Sequence, residues 1–108
     1  MEDIILNLYN IILERKDEKQ QGSYTAYLFG EGMDKILKKC GEEMTEVIIG
    51  AKNNDKEQTA EEICDVIYHM LVMMAQLGVE PKDVKDILVA RSEKMCNLKE
   101  KHKSDPLS

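Results

Sequence analysis

Four acidic side chains in two short stretches, "CGEEMTEVIIG" at residues 40–50 and "EEICDVIYH" at residues 61–69, are the residues best suited to chemistry in this chain. Glu43 and Glu46 form an ExxE pair, and Glu62 and Asp65 an ExxD pair. On a helix, residues three apart have neighbouring Cβ atoms, roughly 5 to 6 Å from each other, so each pair sets two like charges side by side. Water on a solvated face relieves that repulsion, and so does a cation held between the carboxylates. If the two pairs face each other, four hard oxygen donors converge. Mg²⁺ prefers such donors, keeps several waters and bridges protein carboxylates to phosphates; Mn²⁺ fits the same set. Solvated faces are the commoner use of acidic clusters, and spacing alone leaves both readings open.

Other polar residues gather round these pairs. His69 falls on the face of Glu62 and Asp65, but it follows them by seven and four residues, which is not the Glu-x-x-His spacing of di-iron bundles. A hydrogen-bonded core histidine is expected, with its role left open. Lys35, Lys38 and Lys39 precede the glutamates, and Arg91 and Lys94 come late in the chain. Beside a metal, cations of this kind can clamp phosphate oxygens and stabilise a leaving pyrophosphate. Tyr24 and Tyr27, in "GSYTAYLFGEG" at residues 22–32, suit either a core or a ligand wall.

These residues need helices to hold them. Ile4, Ile5, Leu8, Ile11 and Ile12 predict a first helix over 4–16 with Asp3 as a possible N-cap. Residues 22–32 read as a structured loop or one short helical turn. Met33, Ile36, Leu37, Cys40, Met44, Val47, Ile48 and Ala51 form the stripe of a second long helix, stopped by "KNND". On it Glu43 and Glu46 border the buried face and Glu42 points away. Gly50, which costs a helix about 1 kcal/mol against Ala, marks a close backbone approach. A third helix runs from near Asp55, paired with Gln58 as a capping box, to Gly78 as its C′ glycine. There Ile63, Ile67, Met70 and Met74 make the main apolar stripe, opposite Glu62, Asp65 and His69. A fourth begins at Pro81 and carries Val84, Ile87, Leu88, Met95 and Leu98. The short connection "NNDKEQTA" makes the second and third helices antiparallel neighbours.

The stretch "DVIYHMLVMMAQL" is apolar almost all round and has to be covered on more than one side. The expectation is therefore an all-α, antiparallel helical bundle of four main helices per chain, completed by homodimerisation. It forms a single domain over 1–108, with its core at about 4–98 and a basic tail at 99–108. Cys40, Cys64 and Cys96 are odd in number and lack CxxC spacing, which suggests neither a disulfide framework nor a zinc knuckle; buried thiols are expected. A net charge of −6 excludes a general nucleic-acid binder, whose affinity rests on Lys and Arg. An acidic protein that handles nucleotides needs a divalent cation between its carboxylates and the phosphates. No apolar run approaches the roughly 20 residues of a membrane span, and the acidic start "MEDIILNLYN" is unlike a signal peptide, so a cytoplasmic protein without membrane or nucleic-acid partners is expected.

Three stretches, "GSYTAYLF", "DKILKKCGEEMTEVIIGAKN" and "EEICDVIYHMLV", together with "ILVARSEK" further on, resemble the phosphoribosyl-ATP pyrophosphatase family, within the MazG-like all-α nucleotide pyrophosphohydrolases. The resemblance covers roughly residues 4 to 98. It implies Mg²⁺ ligation by Glu43, Glu46, Glu62 and Asp65. The implied reaction is hydrolysis of 1-(5-phosphoribosyl)-ATP to 1-(5-phosphoribosyl)-AMP and pyrophosphate, the second step of histidine biosynthesis, with a separate phosphoribosyl-AMP cyclohydrolase acting next. Glu43 or Glu46 would be the catalytic base. Lys39, Arg91 and Lys94 would contact phosphate, with Tyr24 and Thr25 nearer the substrate body. Cys40 and Met44 stand where that family usually has smaller residues, and Gly50 where it often has alanine; these departures touch packing and leave the acids intact. Two rival readings remain: a housekeeping nucleoside-triphosphate pyrophosphohydrolase with the same metal site, and a non-catalytic helical dimer whose acids serve solubility.

Overall fold

The computed structural model describes residues 3–17 and 22–101, with side chains in those spans as far as Cys96. Within them the chain is all-α: α1 (Ile4–Asp17), α2 (Tyr24–Glu31), α3 (Met33–Lys52), α4 (Lys56–Leu77) and α5 (Pro81–Lys101). Four of these are the long helices that the periodicity predicts. The other, α2, takes the place of the expected loop or single turn. Ser23 starts it by accepting a hydrogen bond from the Ala26 N–H at 3.1 Å, an N-cap that satisfies one of the orphan donors of the first turn. Gly30 lies inside α2, where glycine is disfavoured, which is why this stretch reads as punctuation in the sequence.

Gly32 joins α2 to α3 in one residue. It adopts φ 95° and ψ −179°, a region open essentially to glycine alone. Its N–H donates to the Leu28 carbonyl at 3.1 Å while its own carbonyl accepts from the Ile36 N–H at 3.2 Å. One helix closes and the next opens without a linker.

α3 and α4 pack as an antiparallel hairpin, since Cys40 meets His69 near one end and Gly50 meets Thr59 near the other. The turn between them uses Asn54 at φ 58°. Asp55 then caps α4, its side chain accepting from the Gln58 N–H at 3.0 Å, and Gly78 ends α4 in the left-handed region at φ 91°. The backbones approach closely at Gly50, where a Cβ would lie 2.9 Å from Thr59 Oγ1 and 3.4 Å from the Thr59 backbone.

α1 packs on α4, and α2 on both α3 and α4. Together they enclose Tyr9, Ile12, Leu28, Ile36, Leu71, Val72, Met74 and Ala75. Lys16, near the end of α1, donates to the Ala75 carbonyl at 3.0 Å and lies 5.9 Å from the centre of the Phe29 ring. It thereby ties α1 to a carbonyl in the last turn of α4, where intrahelical partners run out.

The covered faces are rotated from those that the apolar stripes suggest. Leu37, Met44 and Ile48 on α3, and Ile63 and Met70 on α4, are exposed in the single chain. Ile36 and Met74 of those stripes are buried, and burial extends off them to Gly50 on α3 and to His69, Leu71, Val72 and Ala75 on α4. Periodicity locates the apolar stripe, but the position of α1 and α2 decides which face is covered within one chain. The thiols need a similar correction. Cys40 is partly buried, whereas Cys64 and Cys96 are exposed, because Cys64 lies beside the uncovered Ile63 and Cys96 lies on α5.

By its contacts the chain divides into two units, Met1–Gly78 and Val79–Ser108. In the second, α5 begins at Pro81, whose missing N–H costs nothing in a first turn. The Asp83 side chain accepts from the Glu80 N–H at 2.8 Å, and Lys82 pairs with Asp86 at 2.6 Å. No single described helix is long and apolar enough to cross a membrane.

Candidate active site

Packing α3 against α4 brings Glu43, Glu62 and Asp65 together, one oxygen from each lying within 4.8 Å of the others. Glu43 and Glu62 are partly buried and Asp65 is exposed. Glu46, one turn beyond Glu43, is exposed and lies outside this trio, although its charge still acts on Glu62. The Glu62 carboxyl is pushed above the ordinary glutamate range, first by lost hydration, then by the Asp65, Glu46 and Glu43 charges and a hydrogen bond with Asp65. Carboxylates that converge on Glu62 in this way form a hard-oxygen donor set suited to a divalent cation. The residues present therefore fit Mg²⁺ or Mn²⁺.

Among the described residues, Lys39 is a cation in contact with the trio. Its Nζ lies 3.3 Å from Glu42 Oε1 and 3.5 Å from Glu43 Oε2. Burial alone would lower the Lys39 ammonium, but the Glu42 hydrogen bond and the surrounding negative charges outweigh it and hold the group above its ordinary value. Lys39 stays cationic beside the acids. Arg91 and Lys94, three residues apart on α5, belong to the second unit and are not among the residues that the first unit gathers here.

Tyr24 and Thr25, at the start of α2, both reach α4. The Tyr24 hydroxyl lies 3.0 Å from His69 Nε2, and His69 Nδ1 lies 2.8 Å from the Asp65 carbonyl oxygen. A carbonyl can only accept, so Nδ1 is the donor; in the neutral imidazole this leaves Nε2 to accept from the tyrosine. Lost hydration raises the Tyr24 phenol above its ordinary value, with Lys39 opposing the shift and Glu43 adding to it, which keeps the hydroxyl a donor. His69 is 5% exposed and is the hydrogen-bonded core histidine that the sequence suggests. Thr25 Oγ1 and the Tyr68 hydroxyl share a hydrogen bond. Cys40 Sγ donates to the His69 carbonyl at 3.4 Å, and burial pushes this thiol up, away from the thiolate.

Tyr68 is the residue that sequence reasoning passed over. Its ring lies edge-on to His69 at 4.9 Å and near-parallel to Tyr24 at 6.1 Å, so it completes the aromatic cluster around Tyr24. Its place directly before His69, on the side of α4 facing α2, was the available signal.

Comparison with known proteins points to one family. The profile of the phosphoribosyl-ATP pyrophosphohydrolase family matches residues 6–92. A phosphoribosyl-ATP pyrophosphatase of Clostridium novyi (strain NT) is 53% identical over 97 residues, 90% of this chain and 88% of the relative. One from Streptococcus thermophilus (strain ATCC BAA-491 / LMD-9) is 55% identical over 91 residues, 84% of this chain and 88% of that protein. A third, from Clostridium botulinum (strain Hall / ATCC 3502 / NCTC 13319 / Type A), is 49% identical over 102 residues, 94% of this chain and 93% of its own length.

Proposed function

Because the chain belongs to the phosphoribosyl-ATP pyrophosphohydrolase family, we propose that it hydrolyses 1-(5-phosphoribosyl)-ATP to 1-(5-phosphoribosyl)-AMP and pyrophosphate, the second step of histidine biosynthesis. The observation that carries this reading to particular residues is the meeting of Glu43, Glu62 and Asp65 within 4.8 Å. A Mg²⁺ ion held there, with Mn²⁺ as a substitute, would neutralise the triphosphate and polarise a water. The phosphoribosyl-AMP would pass to a cyclohydrolase. Three free thiols fit a reducing, cytoplasmic setting.

The protein's own groups divide the remaining work. Glu46 is exposed, one turn from Glu43 and outside the trio, which leaves it free to take the proton from the attacking water. Water adds to phosphorus, the anhydride P–O bond breaks, and its electron pair leaves on pyrophosphate. Lys39 meets the charge that accumulates on the phosphate oxygens. Tyr24, held by His69, and Thr25, held by Tyr68, line the substrate body. Arg91 and Lys94 are proposed as further phosphate contacts. We assign the exposed apolar faces of α3 and α4 to a homodimer, the partner supplying the cover that one chain lacks.

The test is pyrophosphate release from phosphoribosyl-ATP and from a panel of ordinary nucleoside triphosphates, each with and without Mg²⁺. Release from phosphoribosyl-ATP that requires the metal and is lost in Glu46→Gln is expected. Preference for ordinary triphosphates would move the chain to a housekeeping role, and an undiminished rate in Glu46→Gln would remove that residue from the mechanism.

A further inference from the structure

Three lysines stand on one side of α3 in a protein whose net charge is −6. Lys35 and Lys39 are four apart and Lys38 lies between them, a spacing that sets like charges against each other and disfavours the helix unless something anionic answers them. Lys39 is answered by Glu42 and Glu43. Among the described residues, neither Lys35 nor Lys38 has a carboxylate partner. They line a cavity of about 260 Å³ together with Tyr24, Tyr27, Lys39 and Glu42. Lys35 Nζ lies 5.8 Å from the centre of the Tyr27 ring, which holds it over the aromatic wall without neutralising it. Glu42 is already bound by Lys39, so the charge facing the cavity is positive.

We propose that this cavity binds the 5-phosphate monoester of the substrate, the group that distinguishes phosphoribosyl-ATP from an ordinary triphosphate; the inference rests on the activity proposed above. The two phosphorylated ends make opposite demands. A triphosphate can be received by carboxylates because a divalent cation stands between them. A phosphomonoester carries close to two negative charges at neutral pH and, with no metal of its own, has to be met by cations directly. α3 presents both surfaces in sequence, Lys35 first and Glu43 two turns later. The axial rise between them is about 12 Å, within reach of a molecule whose two phosphorylated ends are separated by a purine and two riboses. Lys39 and Tyr24 lie where the two surfaces join, since Lys39 touches Glu43 and Tyr24 feels the charge of both.

The experiment compares phosphoribosyl-ATP with N1-ribosyl-ATP, which lacks the monoester, in the wild type and in the double variant Lys35→Gln/Lys38→Gln. Both lysines are on the surface of one helix, and a matching circular dichroism spectrum and melting temperature check that the fold is kept. The wild type should prefer phosphoribosyl-ATP in kcat/KM, and the double variant should lose about tenfold or more of that preference through KM. An unchanged preference in the variant overturns the subsite while leaving the enzyme reading intact. Equal losses on the two substrates also overturn it, because the lysines would then serve the triphosphate. A wild type that releases no pyrophosphate from phosphoribosyl-ATP overturns the activity and the subsite together.

Discussion

Glu62 carries opposite effects on stability and on ligand binding. Its proton affinity is raised in the folded chain, so the ionised form strains the metal-free fold at neutral pH. That strain is complete above the raised value and disappears once pH falls below the ordinary carboxylate range. Glu62→Gln should therefore melt at a higher temperature than the wild type at pH 7 without metal, and the difference should vanish at low pH. Added Mg²⁺ should reverse the order at neutral pH. At a hundred times its dissociation constant a ligand stabilises its protein by about 2.7 kcal/mol, a gain the variant should largely forgo. Scanning calorimetry with and without Mg²⁺ at both pH values reads all three outcomes. Glu43→Gln should lower kcat at least about 100-fold while keeping the fold, measured by pyrophosphate release.

His69 belongs to the same scale. Both its ring nitrogens are satisfied and its side chain is almost fully enclosed. His69→Leu strips the Tyr24 hydroxyl of its partner and should cost about 1 to 3 kcal/mol in urea denaturation. His69→Gln, which can still accept from Tyr24, should cost less.

At the scale of the elements, the close approach of α3 and α4 makes a counter-intuitive forecast. Alanine is the better helix former by about 1 kcal/mol, yet Gly50→Ala would set its methyl 2.9 Å from Thr59 Oγ1. Thr59 is β-branched and stiff, and its hydroxyl already donates to the Asp55 carbonyl at 2.6 Å. Gly50→Ala should lower the melting temperature, and Thr59→Ala on the same chain should return part of the loss. A double-mutant cycle measures that coupling. Features of this kind show how much the sequence could tell. Asp55 and Gln58, Gly78 and Pro81 were legible because caps depend on a few adjacent residues. The close approach at Gly50 was legible because an interior glycine needs a reason. The different settings of Glu43 and Glu46 were not, since which turn of α3 faces α4 depends on how α1 and α2 cover Leu71, Val72 and Ala75. α2 itself was obscured by its internal glycine, and the Tyr68 contact with Thr25 joins residues 43 apart in the chain.

For the whole molecule, the uncovered apolar rows are the dominant feature. Leu37, Met44 and Ile48 run along α3, and Ile63, Met70 and Leu77 recur every seven residues along α4. Such rows on a small chain mark an association surface, and a second copy is the proposed occupant. Light scattering should give about twice the 12.4 kDa chain mass. Met44→Lys combined with Met70→Lys should shift it toward the single-chain mass with helicity retained.

The junction at Gly32 has a consequence for how substrate choice could change. Tyr24 and Tyr27 stand on one side of that elbow and the lysines on the other, so the torsions of this one residue, together with the bonds from α2 to α4, set the width of the cavity between them. A side chain at Gly32 would meet nothing within 4 Å, yet the φ of 95° would resist it. Relaxing that bend would re-aim the aromatic wall while every acid stayed where it is. Selectivity in such a scaffold can drift without the catalytic centre being touched.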